Sequence, residues 1–114
     1  MNIAVVRGTV LREPTERTLT GGQRLVSIDL NVSYDDRPNE NLEVVWMDPP
    51  KNLVIPRQGN EVVAVGRTRR RFFKTAVGTV SRQEIVAETV LTARQTSRIN
   101  RALAQVAAVV AAGT

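Results

Sequence analysis

Arg67-Thr68-Arg69-Arg70-Arg71-Phe72-Phe73-Lys74 gathers five cations and two aromatic rings into eight consecutive residues. No acidic residue occurs from Val62 to Gln83, an interval that also holds Arg82. Cations neutralise phosphates and aromatic faces accept stacked bases, so the mixture suits a polyanion that carries flat rings. Arginine serves both purposes, because its guanidinium is planar, weakly hydrated and always charged. In an extended chain, side chains alternate between faces. Arg67, Arg69 and Arg71 then share one face and Arg70 lies opposite. Three arginines on one face repel one another unless an anion or an acidic partner sits among them. Phe72 and Phe73 also face opposite ways, so one can cover a core while the other meets a base. The plainer alternative is a solvated hairpin tip.

Other chemistries find little support. The chain has no histidine and no cysteine. The commonest general base, the commonest zinc ligand and any thiolate or disulfide are therefore absent. Asp35 and Asp36 are a lone acidic pair in a loop and make no metal site by themselves. No Gly-rich phosphate loop or carboxylate cluster is visible, so no catalytic residue, metal or cofactor is expected. The 114 residues, 42% hydrophobic but only 4% aromatic, fit one domain with a core of Val, Ile, Leu and Ala. Fourteen Arg and two Lys against 11 acids give a net charge of +5, which points to nucleic acid or another anionic surface. Met1 to Gly8 lacks a signal-peptide layout, and no apolar run reaches the length of a membrane helix. The expectation is a cytoplasmic, nucleoid-associated protein with no membrane partner.

The elements that must position the basic segment are mostly strands. Ile3 to Leu11 is β-branched and interrupted by Gly8, which signals a bulge, a bend or the close approach of another backbone. Arg12-Glu13-Pro14 ends it, and Thr15 to Thr20 offers a short strand before the Gly21-Gly22 turn. From Leu25 to Val32, Val26, Ile28, Leu30 and Val32 alternate with Ser27, Asp29 and Asn31. That period of two marks a half-buried strand. Leu42 to Met47 is a further strand, halted by Asp48-Pro49-Pro50, and Lys51 to Gln58 has room for one helical turn before Pro56. Glu61 to Arg71 and Val80 to Leu91 read as a hairpin whose tip is Thr75-Ala76-Val77-Gly78. The period then changes. Ile99, Leu103, Val106 and Val110 recur at helical spacing among alanines, with Thr96 or Ser97 as the candidate N-cap. The apolar run Val106 to Ala112 suggests burial against other subunits. The fold class this pattern suggests is all-β, a five-stranded OB-type barrel over residues 1–92 with a C-terminal helix over 96–112; composition alone does not choose it over another small β barrel or an open sheet.

Several segments carry a family resemblance. Met1-Asn2 leads through a valine-rich strand to Gly8 and Arg12-Glu13-Pro14; Arg17, the Gly21-Gly22 hairpin and the Val26 to Val32 strand follow. Gln58-Gly59-Asn60-Glu61-Val62, then Gly66 to Phe73, then Gln83-Glu84-Ile85-Val86-Ala87 complete the set. In this order they resemble the OB-fold single-stranded DNA-binding proteins of bacteria, over about residues 1 to 91. Departures are visible too. Where the family has aromatic and basic residues before a Phe-Gly-Lys, this sequence has Glu43 to Lys51, and only Lys51 is kept. The sequence closes on Ala111-Ala112-Gly113-Thr114 in place of an acidic, Phe-tipped tail, which implies a short, divergent paralogue without tail-dependent partners.

The resemblance implies largely sequence-independent binding of single-stranded DNA in replication, repair or recombination, by a homo-oligomer, tetramer or dimer. Arg67, Arg69, Arg71 and Lys74 would follow the phosphates, with Lys51 a further basic contact. Phe73 sits where the family's stacking aromatic falls. Trp46, the only Trp, suits a core or subunit interface and is otherwise a second stacking candidate. Tyr34 is either a mobile base clamp or a plain loop residue. The rival expectation is an OB-fold assembly or adaptor module, or a primosome-type accessory protein, with weak or no DNA binding of its own.

Overall fold

The computed structural model describes residues 1–113. Its elements are β1 (Ala4–Val10), β2 (Thr15–Thr18), β3 (Arg24–Val32), β4 (Glu40–Met47), β5 (Glu61–Thr75), β6 (Gly78–Thr92) and α1 (Thr96–Ala112). The strands follow the order β1-β5-β6-β4-β3-β2, and β1 returns to pair with β3. Five strands thus close into a ring, an OB-fold barrel, and β2 hangs from the outer edge of β3. All pairings are antiparallel except β4 with β6.

Alternation decides which side chains fill the barrel. Val26, Ile28 and Leu30 of β3 are fully buried, while Ser27 and Asp29 between them are only half-buried. Val44 and Trp46 of β4, Val62 and Ala64 of β5, and Ile85, Ala87 and Val90 of β6 complete the core with Val10. Each such side chain gains roughly 1.5–3 kcal/mol from burial if it is Val-sized or larger. The segment from Lys51 to Gln58 forms turns and no helix.

Two glycines permit close approaches that any Cβ would block. A Cβ on Gly8 would lie 2.8 Å from the carbonyl oxygen of Asn31, where β1 closes against β3. A Cβ on Gly66 would lie 2.0 Å from the carbonyl oxygen of Val86. Gly66 adjoins a bulge: Val65 pairs with Thr89 but Gly66 with Ala87, leaving Glu88 as the extra residue. A bulge bends and twists its strand. It also switches the face of every residue of β6 before it, so that Ile85 and Ala87 point inward and Glu84 and Val86 outward.

β1 pairs with β5 only up to Gly66, and β4 meets β6 only from Glu84 onward. From Arg67 to Thr75, and from Gly78 to Gln83, the hairpin therefore leaves the barrel as a two-stranded arm, about 25–30 Å long at roughly 3.3 Å per residue. Asn2 holds its root: its side chain accepts from the Thr68 N–H at 3.1 Å and donates to the Thr68 carbonyl at 2.8 Å.

α1 starts differently from the sequence expectation. Gln95 occupies the N-cap position and makes no side-chain cap bond; neither Thr96 nor Ser97 is the cap. The Gln95 side chain is engaged elsewhere, accepting from the Thr92 N–H at 2.9 Å. Ile99, Ala102 and Val106 are half-buried, whereas Leu103 is 39% and Val110 53% exposed. The expected four-residue stripe is thus split, because the helix leans on the barrel with the side that carries Ala102. Val65 and Thr89 face Ala102, Val106 and Val109 across an open cleft of about 490 Å³. Among the described residues, no helix is long and apolar enough to cross a membrane, and no group of three acidic residues is placed to hold a metal ion.

Candidate nucleic-acid interface

The register of the arm sorts its side chains. Arg67 lies opposite Val86, Arg69 opposite Glu84, Arg71 opposite Arg82 and Phe73 opposite Val80. These share the outer face. Thr68, Arg70, Phe72 and Lys74, opposite Ile85, Gln83, Ser81 and Thr79, share the other. Lys74 therefore does not join the Arg67, Arg69 and Arg71 row with which the sequence grouped it.

The outer face has its own acids. Asp29, Glu43 and Glu84 stand side by side on β3, β4 and β6. Arg69 donates two hydrogen bonds to Glu84 Oε1, at 2.9 and 2.5 Å. Arg71 lies 3.6 Å from Glu43 and 4.0 Å from Glu84, and Arg12 lies 3.4 Å from Asp29. The Glu84 side chain is 1% exposed, sealed beneath an Arg69 side chain that keeps 40% exposure. Burial pushes the Glu84 carboxyl up, but bonds from Arg69 and Glu43 and the charges of Arg69 and Arg71 outweigh it and hold the group below its ordinary range. Glu43 moves the other way. Burial, a carboxyl–carboxylate bond to Glu84 and the charges of Glu84 and Asp29 raise it against the pull of Arg71. Glu84 Oε2 has no hydrogen-bond partner among the described residues, and Glu43, the carboxyl beside it, is shifted toward its protonated form. The acidic partner that three like-charged arginines require is thus present for Arg69 and Arg71. Arg67 forms no ion pair among the described residues.

Phe73 is 37% exposed, and the Arg82 guanidinium lies 5.9 Å from its ring centroid. Arg82 and Phe73 thus sit together at the outer half of the same face. Phe72, on the opposite face, is 65% exposed. Arg70 beside it donates to the Ser81 hydroxyl at 3.0 Å, and neither Arg70 nor Lys74 has an acidic partner among the described residues.

The remaining sequence candidates disperse. Trp46 is 1% exposed, packed in the barrel between Val26 and Ala87, and offers no ring face to a base. Its inward place follows from the β4 alternation that also buries Val44. Lys51 follows the end of β4 that lies away from the arm, so it does not extend the arm's charge. Tyr34 lies in the β3–β4 loop. Because β4 runs parallel to β6 with Glu43 beside Glu84, the start of β4 and this loop lie at the arm's end of the barrel. The Tyr34 hydroxyl donates to Glu40 at 3.1 Å and the Arg37 guanidinium covers the ring at 4.5 Å. Burial, with that bond, raises the phenol's pKa.

Glu84 and Glu43 were missed in the sequence, although a signal existed. With Ala76-Val77 as the tip, counting back along both strands sets Arg69 against Glu84.

No protein-family model matches the chain, and no curated protein matches it in sequence. Among solved structures, the Plasmodium falciparum SSB in complex with ssDNA matches with a TM-score of 0.66 and 21% identity, over 81% of this chain and 94% of that one. At that identity the likeness is one of fold: the barrel is an SSB-like OB fold.

Proposed function

We propose, with the SSB-like OB barrel as the premise, that this chain binds single-stranded DNA along the outer face of its β5–β6 arm. The observation that carries the reading is the arm itself, a ribbon with no acid between Val62 and Gln83 whose outer face bears four of its six cations, Arg67, Arg69, Arg71 and Arg82. Arg67 and Arg82 meet phosphates directly, and Phe73 gives a stacking surface flanked by Arg82. Arg69 and Arg71 reach phosphates by exchanging one anion for another, leaving Glu84 and Glu43 as the DNA arrives. Contacts to backbone and ring faces carry no base code, which supports sequence-independent binding. Roles in replication, repair or recombination, and assembly as a homo-oligomer, belong to the same proposal.

The test is fluorescence anisotropy of labelled oligo-dT at low and high salt, with wild type and Phe73→Ala in parallel. Loss of one stacked base weakens binding by about 1–3 kcal/mol. Affinity falls with salt with a slope of about −0.7 per phosphate neutralised on a single strand. No binding at low salt overturns the reading. The exposed Leu103, Val109 and Val110 of α1 favour a second one, an assembly module. That module would associate through α1 and leave oligo-dT unbound.

A further inference from the structure

The inner face of the arm has a use that the outer-face reading leaves open. Arg70, Phe72 and Lys74 stand in one row on β5. Phe72 is the more exposed of the two phenylalanines, at 65% against 37%. The inner row is also the less neutralised. Arg69 and Arg71 on the outer face are held by Glu84 and Glu43, whereas Arg70 donates only to a hydroxyl and Lys74 has no acidic partner among the described residues. The inner row has the composition of the outer one, cations around an aromatic ring, without its acids. Among the described residues no third strand covers it, since β1 and β4 both stop at the arm's root.

We infer that the inner face, Arg70, Phe72 and Lys74, is a second binding site for single-stranded DNA, so that one arm holds two strands back to back. The inference rests on the reading that the outer face binds single-stranded DNA. Charge complementarity selects the occupant: a row with two unneutralised cations and an exposed ring suits a polyanion with flat bases. Two polyanions repel, and the arm answers that repulsion by placing its cations between them in a ribbon one strand-pair wide and one chain thick. A protein built this way bridges strands, a function separate from coating one.

The experiment uses the full chain and two non-complementary dT oligonucleotides of about eight nucleotides, within the site size of one OB fold. One carries a donor dye and the other an acceptor. Anisotropy reports binding, energy transfer reports two strands held together, and sedimentation gives strands per chain. Wild type is expected to show energy transfer at low salt and two strands per chain. Phe72→Ala/Lys74→Ala is expected to keep first-strand binding, lose the transfer and drop to one strand per chain. Phe72→Ala alone is expected to weaken the second strand about 5- to 150-fold, the range for one lost stack. Transfer that persists unchanged in the double variant overturns the inference, because two copies joined elsewhere then do the bridging. So does wild type that binds one strand per chain without transfer. Absence of any anisotropy change sinks the outer-face reading as well, which separates the two failures.

Discussion

Removing the acids beneath the arginines is the sharpest perturbation of the outer face. Glu84→Gln deletes a carboxylate that accepts two hydrogen bonds from Arg69 and lies 4.0 Å from Arg71. A phosphate seated on Arg69 would sit roughly 6 Å from that charge. At an effective dielectric between about 20 and 80, the repulsion at this distance is roughly 0.7–2.8 kcal/mol. Deleting it strengthens oligo-dT binding by about 3- to 100-fold. The single variant understates the gain, because Glu43 ionises more readily once its carboxylate neighbour has gone. The double variant Glu43→Gln/Glu84→Gln gives the full effect, and freeing two cations steepens the salt slope by about 1.4. Stability moves the other way. Breaking a fully buried pair costs about 3–5 kcal/mol. Arg69 keeps 40% exposure and the glutamine oxygen still accepts from it, so the loss here is nearer 1 kcal/mol. The assay is anisotropy across a salt series beside a urea melt. Unchanged or weaker DNA binding by a folded double variant would falsify the masking argument and make Glu84 a positioning group for Arg69.

Three further outcomes are expected. The raised carboxyl of Glu43 favours the protonated form in the folded state, so its stability contribution is full below the unfolded value near 4.5 and fades as pH rises through the higher folded value. Glu43→Gln should flatten that decline in urea melts taken from about pH 4.5 to 7, and an unaltered profile would show that Glu43 is not its source. Gly66→Ala sets a methyl 2.0 Å from the Val86 carbonyl oxygen and should lower stability by several kcal/mol, on the order of 2–4, in a chemical melt; a neutral result would mean that the bulge yields freely. Trp46→Ala should destabilise by about 3–5 kcal/mol, and wild-type Trp emission should stay blue-shifted and little quenched by oligo-dT, whereas strong quenching would place the indole at the interface.

The sequence made part of this legible, and the reason differs from element to element. The β3 alternation of Val26, Ile28 and Leu30 was readable because one face is dry and the other wet. The hairpin tip was readable because Gly78 adopts φ 124°. The bulge at Glu88 was not, since one extra residue leaves no mark in composition, and it is the bulge that turns Glu84 outward beneath Arg69. Trp46 looked two-sided because parity is ambiguous in Val44-Val45-Trp46; the register with Val26 and Ala87 resolves it. Lys51 matches only one position of the family's segment, and the direction of β4 carries it away from the arm. The Leu103 and Val110 positions fit a helical stripe, yet a helix resting on a convex barrel touches it along a narrower line than the stripe spans.

The short seam between β1 and β3 has a consequence for how the chain folds. Only Thr9 and Val10 pair with Asn31 and Leu30, while Ala4 to Thr9 pair with Gly66 back to Glu61. The first strand of the barrel to be synthesised thus has its main partner more than 50 residues downstream. Loop closure must be met before that pairing brings any gain, and topologies of this kind fold in milliseconds to seconds, slower than helical ones. During synthesis β3 and β4 can zip as soon as their turn exists, but β1 waits, with its apolar face uncovered, until Gly66 has emerged. Docking of β1 therefore waits on β5, the ring closes only when β6 has followed and seated between β5 and β4, and chaperone contact should concentrate on residues 4–10.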